Sequence, residues 1–447
     1  MDLSAGGRSG VAQHTATVPS TTSFKVSGTP RNAYPWHAHC TVIRRLRMSR
    51  LAARTRTAAG WLLVALVAFY APMTATYFWN GHAGPNLQDH IFEFLISPRF
   101  AFGLGSGHDL RADGSPAHFE TFATTYTTMW LHSTIGSLTL VAGLSQFSER
   151  LRRWNMKLHR TLGKVFILGC LGVFATASSY LLQTDSRLVF SGAAFEEVLW
   201  ILAAGTGGLA ILAFVSIRRR DLVAHREFAT AAFALICSAG WLRAMWLTVE
   251  PVAHMGKEMD NLFGIQFAAA FLITCAMVYV RKFWRGKRGA DSPLASSKAV
   301  RIAAAAGVGG VVVLAIVAAN TDWHAAHPNW FTAGPWPIVI GAVIPWALHT
   351  LWLAWMAARA GRRGDVAAHA AWRTYLVGGL AGPAIGALGL GFAWGIHGMP
   401  LQQAWFMVGY LWGVGLVIAY AAHATITTRW AKKAVTKPAL TQELQPA

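Results

Sequence analysis

The segment Asp221–Arg226 reads Asp-Leu-Val-Ala-His-Arg, follows three arginines and precedes a long apolar stretch. Its pattern recurs in Asn155–Arg160 (Asn-Met-Lys-Leu-His-Arg) and Asp365–His369 (Asp-Val-Ala-Ala-His). Asp and Asn side chains accept hydrogen bonds from the free N–H groups of a helix's first turn. A residue four positions later lies one turn further along the same face. The pattern predicts three helices that begin alike, with His159, His225 and His369 in their first turns.

The composition is that of a membrane protein. Hydrophobic residues make up 54% and charged residues 13% of the 447 residues, whereas soluble domains carry about 25% charged residues. The net charge is +20, but the basic residues lie in short clusters between apolar stretches and do not form a binding face. We therefore predict a lipid bilayer as the environment and no nucleic-acid partner. The four cysteines are isolated, which indicates neither a disulfide framework nor a zinc site.

Ten apolar stretches are long enough to cross a bilayer, which takes about 20 residues of helix. The predicted fold is an all-α, polytopic transmembrane bundle of about ten helices, with parallel hairpin repeats. The predicted spans are 58–78, 126–147, 161–182, 195–217, 228–249, 262–283, 302–320, 336–357, 371–394 and 405–427.

Lysine and arginine are distributed unevenly between the segments that join these spans. With the N-terminus placed in the cytoplasm, the inner segments hold 31 Lys and Arg and the outer loops hold 4. An excess of basic residues on cytoplasmic segments is typical of membrane proteins. We predict a bacterial inner-membrane protein with both termini in the cytoplasm.

The chain is predicted to divide into five regions. Residues 1–47, rich in Ser, Thr, Gly and Pro, are predicted to be disordered, and Met48 is a candidate alternative start. A six-helix membrane domain (48–283) and a basic cytoplasmic linker (284–300) follow. Residues 301–430 form a four-helix partial repeat, because Arg-Arg, Asp, Val, Ala and His recur in the second and third hairpins. The cytoplasmic tail is 431–447.

Polar residues inside the predicted spans are candidates for function. His132, Gly136, Gly143 and Gln146 fall on one stripe of their helix, which faces other helices or a cofactor. Arg243 is the one basic residue in mid-span, where it either pairs with a buried anion or reaches the outer headgroups.

The position of Arg243 can be related to that of His225, which precedes it by about five helical turns. In a straight helix the two share a face at an axial separation of about 27 Å. His349 and His423, in later spans, either bond across helices or are ordinary core histidines. The long outer loop 79–125 holds several acidic residues and histidines and is either a metal site or a solvated cap.

The region from about 129 to 246 resembles the domain of unknown function 2306 family of bacterial membrane proteins. This resemblance implies a membrane protein and no particular reaction. The matching words are His132-x-x-x-Gly136, Gly143-x-x-Gln146-Phe147, Leu158-His159-Arg160-x-x-Gly163-Lys164-Val165-Phe166, Asp221-x-x-x-His225-Arg226 and Leu242-Arg243.

The chain also looks, more distantly, like transmembrane b-type cytochromes, in which histidines of different helices ligate haem iron. That resemblance implies His159 and His225, at equal depth, as axial ligands of haem b. Asn155 and Asp221 would then orient the ligands, provided that helix capping does not occupy them.

In this redox hypothesis His132 and Arg243 line the outer half of the bundle, His349 and His369 are further cofactor-binding candidates, and a quinone or another electron carrier is the partner. His132 lacks a histidine of matching depth in the first six spans, so an outer haem is not supported. Two alternatives stay open: a small-molecule transporter with a cavity reaching His349 and Arg243, and a structural or sensory membrane protein without a reaction.

Overall fold

The computed structural model describes residues 60–78, 87–96, 117–184, 189, 192–253, 256–281, 292–323 and 335–436. The predicted disordered segment 1–47, the start at Met48 and the end of the predicted tail, from residue 437, lie outside the described residues. So do His82, His108, His254 and most of the loop 79–125. All described helices belong to one compact unit, residues 55–447.

Every regular element in these residues is a helix, which confirms the all-α fold. We number the helices in chain order; α11 and α12 each include one π turn. Their bounds are α1 Gly60–Thr76, α2 Leu87–Leu95, α3 Ala117–Gln146, α4 Glu149–Trp154, α5 Met156–Gln183, α6 Gly192–Arg218, α7 Leu222–Ile236, α8 Ser238–Ala253, α9 Gly256–Val280, α10 Ser297–Ala319, α11 Trp336–Arg362, α12 Val366–Ile396 and α13 Leu401–Thr436.

The ten predicted spans all coincide with helices. Among the described residues, seven helices are long and apolar enough to cross a membrane: α5, α6 and α9 to α13. The bent pair α7 and α8 makes an eighth candidate. Of the remaining two, α1 is a shorter apolar helix and α3 contains a non-helical residue, Thr125. The protein is a multi-pass membrane protein with a polytopic helical bundle.

The three predicted helix starts are confirmed, down to the hydrogen bonds of their caps. The Asn155 side chain accepts from the Leu158 N–H at 2.9 Å, and α5 begins at the next residue. Asp221 accepts from the Ala224 N–H at 2.9 Å, and Asp365 accepts from the Ala368 N–H at 3.1 Å. Each cap satisfies N–H groups that have no partner within the helix.

The fifth predicted span is not one straight helix, and this part of the prediction is wrong. The helix is interrupted at Cys237, and α7 and α8 meet at an angle of 42°. The Ser238 hydroxyl donates to the Leu235 carbonyl at 2.6 Å, so a side chain competes with the backbone ladder. His225 and Arg243 therefore lie on two differently directed helices and do not share one face.

Glycines allow the helices to approach closely where they cross. A Cβ on Gly169 of α5 would lie 2.0 Å from Thr139 Oγ1 of α3. A Cβ on Gly378 of α12 would lie 2.6 Å from the Gly415 carbonyl of α13, and a Cβ on Gly310 of α10 would lie 2.4 Å from the backbone of α12. Because hydrocarbon chains give no hydrophobic drive between helices, such tight contacts supply much of the packing energy.

Candidate functional site

A cavity of about 190 Å³ lies among the helices of the first half of the bundle. Its wall is mostly apolar and carries a few hydroxyl groups and one imidazole. It is lined by Tyr70, Thr74, Met129, His132, Gly136, Leu140, Val173, Ala177, Tyr180, Leu181, Leu199, Leu202, Ala203, Thr206, Leu235, Ile236, Ser238 and Ala239.

His132 contributes the imidazole, and its hydrogen bond fixes which ring nitrogen carries the proton. His132 Nδ1 lies 3.0 Å from Thr176 Oγ1. The Thr176 hydroxyl has one proton, which it donates to the Gly172 carbonyl at 2.8 Å. Its oxygen therefore accepts from the Nδ1–H of His132. In this neutral tautomer Nε2 carries a lone pair and can accept a hydrogen bond at the cavity wall.

The predicted stripe on α3 is divided between the cavity and the helix packing. A Cβ on Gly136 would meet only Val173 Cγ2, at 4.0 Å, so this glycine leaves open space. A Cβ on Gly143 would lie 2.5 Å from the Phe233 ring, so that glycine is packed tightly. Gln146 follows, and its Oε1 lies 3.1 Å from a Cβ position on Gly163. The stripe faces other helices, as predicted, and opens into a cavity at its His132 end.

The break between α7 and α8 forms one wall of the cavity. Leu235 and Ile236 line it from one side of Cys237, and Ser238 and Ala239 line it from the other. A straight helix would continue the same ladder through this point, so the bend gives the wall its shape. Broken helices beside cavities are frequent in membrane proteins, where the cavity tolerates irregular backbone.

Arg243 lies close to this cavity and has defined partners. Its Nε donates to Gln88 Oε1 of α2 at 3.1 Å, and its guanidinium carbon is 4.1 Å from the centre of the Trp246 ring. The Trp246 Nε1–H donates to Asn261 Oδ1 at 3.0 Å. Tyr70, which lines the cavity, lies 6.0 Å from the same guanidinium. Arg243 is therefore held by neutral side chains of the bundle, and its pairing with a buried anion or with the outer headgroups stays a prediction.

Two of the three first-turn histidines make the same bond. The Nδ1–H of His225 donates to the Ala213 carbonyl of α6, and that of His369 donates to the Ala357 carbonyl of α11; both distances are 2.9 Å. Each bond ties a helix start to the preceding helix. His159 does not share it, since its buried Nδ1 has no hydrogen-bond partner in the described part of the chain. In the hairpin of His159, the short helix α4 joins α3 to α5 in place of a tight turn.

The haem hypothesis needs space between His159 and His225. The rings of Phe166 and Phe233, about two turns further along α5 and α7, contact each other with centroids 6.3 Å apart. Phe147 packs on the same Phe233 ring at 4.9 Å. One oxygen of each of Asn155 and Asp221 accepts capping bonds, so capping takes up the Oδ1 atoms that the haem hypothesis would use to orient a ligand histidine.

His349 lies elsewhere, between the two halves of the bundle. Its Nε2 is 2.6 Å from Thr274 Oγ1 of α9, and its ring lies between Trp352 and Trp412 at centroid distances of 5.5 and 5.6 Å. Of the two alternatives for His349, the structure has the bond across helices. His423 is buried and packs edge-on against Tyr375. The cavity at His132 is lined by neither His349 nor Arg243, so it is not the shared cavity that the transporter hypothesis predicts.

The described part of the outer loop carries an exposed pair, His90 and Glu93, at 3.4 Å. Among the described residues, no group of three or more His, Cys, Asp and Glu side chains is arranged to hold a metal ion. The other loop residues of the metal prediction lie outside the described side chains.

Several residues that form the cavity were not predicted from the sequence. Thr176, which fixes the His132 tautomer, is 44 positions away and has no local signal. Tyr180 lies one turn after Thr176 on α5, and a period of four among polar residues there (Thr176, Tyr180, Thr184) is the one signal that marks this face.

One part of the chain matches a known protein family. The family model described as "Predicted membrane protein (DUF2306)" matches residues 129–284, which confirms the resemblance predicted from the motifs. That range covers α4 to α9 and most of α3, and it includes most of the residues of the cavity wall. No curated protein and no solved structure matches the chain.

Proposed function

We propose that the protein is a membrane redox protein that binds the aromatic head group of a lipid-soluble carrier, a quinol, in the cavity beside His132. The observation that carries this proposal is the imidazole of His132, hydrogen-bonded through Nδ1 to Thr176, at the wall of a mostly apolar cavity. With the proton on Nδ1, the Nε2 lone pair of this imidazole can accept a hydrogen bond from a quinol hydroxyl. The ring of the quinol then lies against the apolar side chains.

The size of the cavity selects the ligand class. An apolar cavity of about 150 Å³ holds benzene, and drug-sized ligands need about 300 Å³ or more. The cavity of about 190 Å³ therefore suits one substituted six-membered ring. A porphyrin macrocycle is much larger than such a ring and does not fit.

A basic side chain, Arg243, lies behind one residue of the cavity wall, Tyr70. Arg243 stacks on Trp246, and its guanidinium lies near Tyr70, a residue of the cavity wall. Guanidinium N–H groups donate to carbonyl and phenolic oxygens, and they bind more strongly as the oxygen gains negative charge. Arg243 itself does not line the cavity, so a direct bond from its guanidinium to the ligand is not part of the proposal.

The test is the binding of a short-chain quinol to the purified protein in detergent, measured by calorimetry. Gly136→Leu fills the open space at the cavity wall, and we expect it to abolish binding. Gly208→Leu is the matched control, because a Cβ on Gly208 of α6 meets nothing within 4 Å. We expect the control to bind like the wild type. His132→Phe removes the acceptor and should weaken binding about tenfold, the equivalent of one hydrogen bond.

Two outcomes would reject the proposal. One is a wild-type protein that does not bind the quinol. The other is a Gly136→Leu variant that keeps the wild-type affinity, because the ligand would then bind elsewhere.

Haem b between His159 and His225 is a second candidate, favoured by one observation. The Nδ1–H of His225 is bound to a carbonyl, which leaves Nε2 for a metal in the manner usual for haem and zinc ligands. The contact between Phe166 and Phe233 weighs against it. An absorption spectrum of protein made with ample haem separates the two candidates: axial ligation requires a Soret band that His225→Ala abolishes and His369→Ala leaves unchanged.

A further inference from the structure

Helix α6 spans Gly192–Arg218 and helix α11 spans Trp336–Arg362. Both ends of α11 lie 144 residues after the corresponding ends of α6 (336 − 192 and 362 − 218). We call two residues that differ by this offset counterparts. The helix caps that follow, Asp221 and Asp365, are counterparts too. Between residues 203–230 and 347–374, eleven of the 28 aligned positions carry the same amino acid without any gap. Helices of two unrelated hairpins would not agree in length, turn and cap at once.

The hydrogen bonds of the two hairpins agree as well. Besides the histidine bonds, the Asp221 N–H donates to the Ser216 carbonyl, and the Asp365 N–H donates to the carbonyl of the counterpart, Ala360. The residue before each cap has a positive φ, 58° at Arg220 and 67° at Gly364.

The helices that follow the two hairpins, α9 and α13, pack against each other at equivalent positions. A Cβ on Gly413 would lie 2.9 Å from the Cβ of its counterpart, Ala269. Contact between equivalent residues is what a two-fold relation between two copies produces at its axis. Residues 192–280 and 336–424 thus correspond in sequence, in hydrogen bonding and in packing.

We propose that residues 336–424 are a second copy of 192–280, and that Trp346 fills in this copy the space that Leu202 leaves open in the first. Leu202 lines the cavity at His132. Its counterpart is Trp346. In the second copy the Trp346 indole therefore occupies the place in which the first copy has a cavity that can bind an aromatic ligand.

The contacts of Trp346 support this correspondence. Its Nε1–H donates to the Gly379 carbonyl at 2.7 Å, and Nε1 lies 3.3 Å from a Cβ position on Gly382. Gly379 and Gly382 are the counterparts of Leu235 and Ser238, both of which line the cavity. The indole lies against the second-copy positions that correspond to the cavity wall, and glycines there give it room.

The filled position defines a ligand class. Replacing a large core side chain by a small one leaves a cavity when the surroundings do not collapse, and apolar cavities of this kind bind small aromatic molecules. A second copy without its indole should therefore take free indole or benzene. If Trp346 fills the second copy, the protein has room for one ligand only, and this consequence rests on the proposed quinol function. Whether Trp346 fills that space can be tested without quinol.

The experiment is rescue by indole, measured as the thermal unfolding midpoint of the full chain in detergent. Trp346→Ala should lower the midpoint, and added indole should raise it again in proportion to the logarithm of its concentration. Trp355→Ala is the matched control, because Trp355 is on the same helix but 48% exposed. We expect no rescue of Trp355→Ala beyond the effect of indole on the wild type.

A second variant covers the case in which Trp346→Ala does not fold. Trp346→Leu places the first-copy residue in the second copy, and we expect it to bind benzene, which the wild-type second copy should exclude. Equal responses of Trp346 and Trp355 variants to indole, or no response of either Trp346 variant to its probe, would overturn the inference. Quinol binding that fails while indole rescue succeeds would reject the proposed function and leave the filled second copy intact.

Discussion

His225 and His369 are counterparts in the two hairpins, and each donates its Nδ1–H to the backbone carbonyl twelve residues earlier, at the same distance of 2.9 Å. The acceptors, Ala213 and Ala357, lie about one and a half turns before the ends of α6 and α11. A helix carbonyl that is already part of the backbone ladder has a second lone pair. Each imidazole uses that lone pair to hold the two helices of its hairpin together.

We expect His225→Ala and His369→Ala to destabilise the protein by similar amounts, about 1–2 kcal/mol each, because both remove one hydrogen bond and some packing at equivalent places. The unfolding free energy in detergent measures this, and His90→Ala, an exposed substitution on α2, is the control. A large loss for one histidine with none for the other would show that the two do not have the same role.

The turns before the caps give a reciprocal prediction. Gly364→Ala places a Cβ at a φ of 67° and should cost about 1 kcal/mol. Arg220→Gly removes the same strain at a φ of 58° but frees the unfolded chain, so its effect should be much smaller. Chemical unfolding of both variants checks the contrast, and an equal loss at the two positions would contradict it.

The crossing of α3 and α5 should not tolerate a side chain at Gly169. In Gly169→Ala the new Cβ would lie 2.0 Å from Thr139 Oγ1, so Thr139 or the helices must move, at an expected cost of about 1–3 kcal/mol. The double variant with Thr139→Ala should recover part of that loss. Gly309→Ala is the control, since its Cβ would meet nothing within 4 Å. Additive losses in the double variant would mean that the two residues do not clash.

Arg243 should depend on its shape as well as its charge. Arg243→Lys keeps the charge, but it loses the Nε–H donated to Gln88 and the flat face on Trp246. We expect it to lower stability by about 1–3 kcal/mol, the range for a hydrogen bond to a charged group. Arg153→Lys, at a position where the side chain is 81% exposed, should change nothing measurable. Wild-type stability in Arg243→Lys would indicate that charge alone is required.

The orientation prediction rests on the 31 basic residues of the inner segments against 4 in the outer loops. A fluorescent reporter that folds in the cytoplasm, fused after residue 447, should therefore fluoresce, and an alkaline phosphatase fused at the same place should be inactive. An inactive fluorescent reporter and an active phosphatase would place the C-terminus outside the cytoplasm and contradict the predicted side of the membrane for every loop.

The sequence predicted best what is decided within one turn of helix. The caps at Asn155, Asp221 and Asp365 could be read off because capping residue, first turn and apolar stretch are neighbours in the chain. The stripe on α3 could be read because helical period alone places His132 and Gly136 on one face.

The site itself depends on partners that no local pattern indicates. Thr176 fixes the tautomer of His132 from 44 residues away, and Gln88 binds Arg243 from 155 residues away. The break at Cys237 was missed because Ser238 is an ordinary residue in a helix until its hydroxyl finds the Leu235 carbonyl. The shared face predicted for His225 and Arg243 is wrong for that reason.

The joint at Cys237 has a mechanical consequence. Both helices line the cavity, α7 with Leu235 and Ile236 and α8 with Ser238 and Ala239. We therefore expect the angle between α7 and α8 to change when the cavity is filled. Spin labels near Leu222 and Val252, at the far ends of α7 and α8, would report a filled cavity as a change of distance.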